Sequence, residues 1–233
     1  MIAILGAMEI EMNAVLQYVN IKKQIDNNGF TIYEGQMNGK EVVLCLSGVG
    51  GNKASMTMTQ VLERYKVDCV INIGTAGGLK EYENVLDVVI SSRVLKHDFD
   101  TEGVYDLALG FHDENPLIKF ADEKLQQLAS QIMENFTGSA TYIGDVVSGD
   151  KFIYKDEDVN YIVNSFSTAL CADMESASIA DVCDFYKVPF IIIRSLSDIA
   201  VKEGNELQFG EYVEKASVRS ADFVRMLVDE IKA

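Results

Sequence analysis

The sequence predicts an α/β fold: one domain over residues 1–233, built as a three-layer sandwich in which helices flank a central mixed, mainly parallel sheet. Three observations carry that reading. Short runs rich in Val, Ile and Cys alternate with segments of helical periodicity. Several runs are almost wholly apolar, as in strands covered on both faces. The chain has 233 residues and 48% apolar content, enough for one extensive core, with no repeat or linker to mark a seam.

Ile2–Leu5 reads as the first strand, and Glu9–Val19 follows with apolar residues at helical spacing. Asn27–Gly29 and Asn38–Gly39 are turn signals, the Asn-Gly pair being typical of hairpins, and Glu41–Leu46 is the next strand. Gly48–Gly51 breaks the chain before a helix over Asn52–Tyr65. Strands follow at Asp68–Ile73 and, after a turn signal at Gly77–Gly78, at Asp87–Ser91. Lys96–Pro116 is the longest stretch without a period, the signature of a binding or disordered loop. A helix over Asp122–Phe136 leads to strands at Tyr142–Val147 and Leu170–Asp173, the latter running into a helix over Ser176–Tyr186. Pro189 precedes the strand Phe190–Arg194, where a missing N–H does least harm. Phe209–Ile231 closes the chain as a helix.

A net charge of −16, from 36 acidic against 20 basic residues, repels phosphate backbones and anionic lipid. Neither nucleic acid nor membrane is expected as a partner. Cys45, Cys69, Cys171 and Cys183 are far apart, without a C-x-x-C pair, and read as reduced core residues. With no basic leader and no apolar stretch near the roughly 18 residues of a membrane span, the expected location is the cytoplasm. No cofactor or metal is expected: His97 and His112 are the only histidines. Asp98-Phe-Asp100-Thr-Glu102-Gly103 opens like a calcium loop, but its twelfth position is Leu109, so a solvated acidic loop is the better account.

In an open α/β sheet, ligands bind outside the carboxyl ends of the strands. Four such ends stand out. Gly6-Ala7-Met8-Glu9-Ile10-Glu11 places a carboxylate at a helix start, which suits catalysis but also plain dipole complementarity. Gly74-Thr75-Ala76-Gly77-Gly78 lets a ligand approach the backbone, or is a tight turn only; it lacks the order of a dinucleotide fingerprint. Gly48-Val-Gly50-Gly51-Asn-Lys53 likewise falls short of a triphosphate loop. In Ala172-Asp173-Met174-Glu175-Ser176, a strand would point both acids the same way, able to accept the protons of two ribose hydroxyls, or merely to cap a helix. Arg194-Ser195-Leu196-Ser197-Asp198 brings an arginine and an acid to the same rim, to pair or to face a ligand. Phe152-Ile153 fits core packing as well as base stacking, and Met8 and Met174 are equally ambiguous.

Together these segments resemble the nucleoside phosphorylase/nucleosidase superfamily, and within it the 5′-methylthioadenosine/S-adenosylhomocysteine nucleosidases. The matching stretches are Gly6–Glu11, Ser47–Gly50, Gly74–Leu79, Val147–Ile153, Asp173–Ala177, Val188–Phe190 and Arg194–Asp198, in family order and spacing. The resemblance implies a nucleoside phosphorylase-like fold that hydrolyses the N-glycosidic bond of a small adenine nucleoside. It implies that Glu11 acts on the attacking water, that Asp198 protonates adenine at N7, and that Ser197 orients Asp198. Glu175 and Met174, with Asp173 beside them, would hold the ribose. Phe152 would stack on the base and Ile153 would meet it through its backbone. Arg194 and Thr75 would organise the water end, with Ala76, Gly77 and Met8 lining the pocket. A homodimer and a place in methionine salvage are also implied.

The glycine-rich turn carries Glu9 and Glu11 where phosphorylases of the superfamily place arginines, so water is the expected nucleophile. A purine nucleoside phosphorylase is the alternative enzyme. A catalytically silent nucleoside-binding module is the alternative class, and an unrelated dinucleotide enzyme is a third. Thr75 stands where serine is commoner, Asp173 where glutamate is, and Lys96–Pro116 lacks the family's aromatic stretch, which leaves the 5′ substituent open.

Overall fold

The computed structural model describes every residue except 28, 100–109, 112–114 and 233. Most of the loop Lys96–Pro116, including His112 and the acidic stretch from Asp100 to Leu109, lies outside the described residues. The chain opens with β1 (Ile2–Gly6) and α1 (Glu9–Leu16), then the strands β2 (Asn20–Asn27), β3 (Phe30–Met37) and β4 (Lys40–Leu46). Next come α2 (Gly51–Arg64), β5 (Cys69–Gly78), β6 (Val88–Lys96) and the short β7 (Lys119–Phe120). The second half holds α3 (Glu123–Met133), β8 (Thr141–Ser148), α4 (Asp156–Ser165), β9 (Ala169–Asp173), α5 (Ser176–Tyr186), β10 (Phe190–Ile199) and α6 (Asn205–Glu230).

Each strand and helix expected from periodicity is present. Outside that set lie β2, β3, β7 and α4. β2 is an edge strand whose described side chains are mostly exposed, so it carries no apolar run. α4 buries only Ile162, too little for an apolar stripe.

Among the described residues, ten strands form one mixed sheet in the order β10-β6-β8-β9-β5-β1-β4-β3-β2, with β7 beside β6. β1 pairs in parallel with both β4 and β5, and β5 with β10, while β2, β3 and β4 form an antiparallel meander. The sheet is not open throughout. β10 pairs with β6 as well as β5, and β5 touches β9 through Gly77↔Ala172 and Gly78↔Cys171, so β10, β6, β8, β9 and β5 close on themselves. A bulge between Leu196 and Asp198 bends β10 where this ring closes.

The apolar runs are covered on both sides. Ile2, Ile4, Ile71, Ile73, Ile191 and Ile193 pack with α1, α3 and α6, whereas Ala3, Leu5, Val70 and Ile192 pack with α2 and α5. That alternation is the period-2 geometry of a strand between two helical layers. All four cysteines are buried and unbridged. Among the described residues, no helix is long and apolar enough to cross a membrane. The arrangement brings the ends of β1, β5, β9 and β10 and the first turns of α1, α2 and α5 to one place.

Candidate active site

A cavity of about 220 Å³ opens there. It is lined by Met8, Glu11, Thr75, Ala76, Gly77, Phe152, Ile153, Asp173, Met174, Glu175, Ser197 and Asp198, which brings together every expected site residue except Arg194.

Glu11 stands in the first turn of α1 and is buried. Its Oε2 accepts the backbone N–H groups of Ala7 and Met8, each at 3.0 Å, so it does complement its own helix start. Its Oε1 accepts the Thr75 N–H at 2.9 Å and the Thr75 hydroxyl at 3.3 Å, which turns the carboxylate to the cavity. One geometry therefore satisfies both readings of this acid. Glu9, by contrast, is exposed and does not line the cavity, so Glu11 alone carries the negative charge of that turn into it.

β9 stops at Asp173, and Glu175 is the residue before α5, with φ −129° and ψ −33°. The expectation that Asp173 and Glu175 point the same way along one strand is thus overturned: the strand has already ended at Asp173, and Glu175 stands at the N-cap of the helix that follows. Glu175 Oε1 accepts the Gly50 N–H at 2.8 Å, at the start of α2. Burial, reinforced by Asp173, pushes the Glu175 carboxyl up to about 7, against the opposing pull of Arg194 and the Gly50 N–H. Asp173 is committed elsewhere. Its Oδ2 accepts Arg194 Nε at 2.6 Å, and its Oδ1 accepts the Ser176 N–H at 3.2 Å.

The pairing of Arg194 with Asp198, one of the two readings of that rim, is corrected too. Arg194 is buried behind the cavity wall, paired most closely with Asp173, with Glu175 at 4.0 Å, and not with Asp198, because an unpaired buried guanidinium would be costly. Burial opposes its charge, but Asp173, Glu175 and Glu11 outweigh that and raise its pKa. Asp198 Oδ1 accepts the Ser197 hydroxyl at 2.9 Å. Its Oδ2 lies over Gly77, where an added Cβ would sit 3.0 Å from it, a tight approach that would press on the carboxylate. Phe152 forms an aromatic wall with Phe209, edge-on at 5.4 Å, and with Tyr154, stacked at 6.2 Å. Among the described residues, no group of three or more His, Cys, Asp or Glu side chains is placed to hold a metal ion.

The family model of the phosphorylase superfamily matches residues 1–231. The chain belongs to this superfamily. Within it, the chain is 36% identical to the 5′-methylthioadenosine/S-adenosylhomocysteine nucleosidase of Anoxybacillus flavithermus, covering 99% of this chain and 98% of that one. It is similar to the crystal structure of the corresponding Neisseria meningitidis nucleosidase in complex with methylthio-immucillin-A, at 34% identity and TM-score 0.92, over 99% of each chain. It is also similar to futalosine hydrolase of Helicobacter pylori, at 29% identity and TM-score 0.90, over 99% of this chain and 97% of that one.

Five residues line this superfamily member's cavity beyond the expected set: Ala7, Val49, Lys151, Ala172 and Phe209. Ala7, Val49, Lys151 and Ala172 sit inside or beside the quoted motifs, so adjacency was their available signal. Phe209 lies in the closing helix, more than 50 residues from Phe152, and only the fold joins the two rings.

Proposed function

We propose that the protein hydrolyses the N-glycosidic bond of 5′-substituted adenosines, among them 5′-methylthioadenosine, S-adenosylhomocysteine and 5′-deoxyadenosine, releasing adenine and the 5′-substituted ribose. One observation carries the choice of water over phosphate. Glu11, Glu175 and Asp198 line the cavity beside Asp173, whose charge Arg194 pairs, and the one lining base among the described residues, Lys151, donates to Asp158 at 2.5 Å. An anionic co-substrate would meet like charge in a partly desolvated site.

In this reading, the bond from C1′ to N9 breaks through an oxocarbenium-like state. Asp198, held by Ser197, delivers a proton to adenine N7, so the base leaves neutral. Glu11 takes a proton from the water whose oxygen bonds to C1′. Each transfer supplies about 10²–10⁴ in rate. Glu175 and Met174 hold the ribose, Phe152 and Phe209 enclose the base, and Ile153 borders it. Thr75 fixes Glu11, and Ala76 and Gly77 form the floor under Asp198. Met8 and Val49 face the 5′ substituent.

Support for a homodimer comes from Val49, which lines the cavity yet is 47% exposed, and from Met56 on α2, which is 57% exposed. The one domain works in the cytoplasm, in methionine salvage.

The test is a panel of 5′-substituted adenosines assayed for free adenine in phosphate-free buffer. Adenine release with a free reducing sugar as co-product is expected. A strict phosphate requirement with a ribose 1-phosphate product would replace this reading with the phosphorylase, and binding without release would replace it with the silent binder.

A further inference from the structure

A buried guanidinium must place five N–H donors in one rigid plane, so fixing two of its nitrogens fixes the third. Arg194 Nε donates to Asp173 Oδ2 at 2.6 Å, and Nη2 donates to Asn72 Oδ1 at 2.6 Å and to Ser176 Oγ at 2.9 Å. Nη2 also lies 2.5 Å from Asp173 Oδ2, and its two neutral acceptors are themselves pinned. Asn72 Nδ2 donates to the Leu5 carbonyl at 2.9 Å, at the end of β1. Ser176 Oγ contacts Asp173 Oδ2 and lies 3.2 Å from Asn72 Oδ1. Asn72 and Ser176 are both buried, and neither lines the cavity.

The remaining nitrogen, Nη1, lies at the bare backbone of Gly74. A Cβ added there would sit 2.1 Å from Nη1 and 2.8 Å from Glu11 Oε1, so the two groups converge on the space that glycine leaves. The proposed attacking water belongs to the Glu11 side of the cavity. We propose that Asn72 and Ser176 are positioning residues for the cleavage reaction: by taking Nη2 they turn Arg194 so that Nη1 points towards Glu11 over Gly74. The inference rests on the hydrolytic reading of the site.

A guanidinium released from Asn72 or Ser176 would swing with Asp173 and leave its other carboxylate neighbours less compensated. The groups that face Glu175 are Asp173 from β9, Arg194 from β10, Glu11 from α1 and the Gly50 N–H from the start of α2. Arg194 is the cation of that set, with Nη2 4.0 Å from Glu175 Oε2. Weakening it raises the pH at which Glu175 ionises, and the ionised form is the one that accepts the ribose hydroxyls.

Adenine release by Ser176→Ala, Asn72→Ala and the double variant, measured from about pH 5 to about pH 9 beside thermal unfolding, tests this. Each single change is expected to lower kcat/KM about tenfold, the effect of a lost hydrogen bond to a charged group, and to move the acid limb of the profile to higher pH. The double variant should lose little more than the poorer single one, because both act through one nitrogen. Unmoved acid limbs in both single variants, with activity following thermal stability alone, would overturn the inference and leave the two residues as packing. A wild-type protein that releases no adenine from any substrate overturns the hydrolytic reading itself, a result distinct from an active wild type with superimposed profiles.

Discussion

The backbone N–H of Thr75 donates to Glu11 Oε1 at 2.9 Å, tying the end of β5 to the first turn of α1. Glu11→Gln keeps the size of the side chain but turns one acceptor oxygen into a donor, which must then face either Thr75 N–H or the Ala7 and Met8 N–H groups. Turnover is expected to fall about 10²–10⁴-fold through loss of the base. Stability is expected to fall by about 1–3 kcal/mol through the buried donor clash. Steady-state adenine release and thermal unfolding on the same preparation check both, and a variant with wild-type turnover would remove Glu11 from the chemistry.

Asp198→Asn isolates the proton donated to the base. The amide keeps an oxygen for the Ser197 hydroxyl, 2.9 Å away in the wild type, so the pocket keeps its shape. Adenine release is expected to fall about 10²–10⁴-fold, while calorimetry still detects binding of 5′-methylthioadenosine within a few-fold of the wild-type affinity. Parallel loss of binding and turnover would make Asp198 a substrate anchor instead of the acid.

The legibility of the sequence follows the range of each signal. β1, β5 and β10 are covered by helices on both sides, so unbroken apolar runs such as Phe190-Ile-Ile-Ile announce them. The edge strand β2, N-I-K-K-Q-I-D-N, buries too little to carry such a signal. The closing of the sheet through Gly77↔Ala172 is a pairing between segments almost 100 residues apart, which no local pattern encodes. In the site, Glu11 and Asp198 could be placed because each follows a readable strand. The carboxylate of Asp173 could not, because its direction depends on where β9 stops and on a guanidinium arriving from β10.

Glu83 makes stability depend on pH. Burial pushes its carboxyl up to about 7, despite the Lys80 N–H on Oε2, and Oε1 is buried without a hydrogen-bond partner among the described residues. In the unfolded chain the same group ionises near about 4.3. Between those limits the native state holds a proton that the unfolded state has released, so rising pH favours unfolding. The stabilising contribution is full below about pH 4.3 and is lost as pH climbs towards about 7. Melting temperatures from about pH 5 to about pH 8 are expected to decline less in Glu83→Gln than in the wild type, the remaining slope combining Glu175, raised in the same way, with His97, which burial lowers and which acts in the opposite direction. Equal slopes in the two proteins would show that Glu83 ionises normally in the fold.

Lys187 ends α5 in the left-handed region, with φ 56° and ψ 38°. A side chain there costs roughly 1–2 kcal/mol that glycine avoids. Two things oppose the exchange. Glycine frees the unfolded chain by about 0.4–1 kcal/mol, and the Lys187 amine, 3.0 Å from Asp184 Oδ1, gives up an exposed ion pair of about 0–1 kcal/mol. The pair is the smaller loss, because Asp184 keeps Lys119 at 3.0 Å. Lys187→Gly is therefore expected to raise the melting temperature by about 1–3 °C. Lys187→Ala, which loses the pair and keeps the strain, should match or fall below the wild type. An alanine variant as stable as the glycine one would place the gain in the lost amine and not in the backbone.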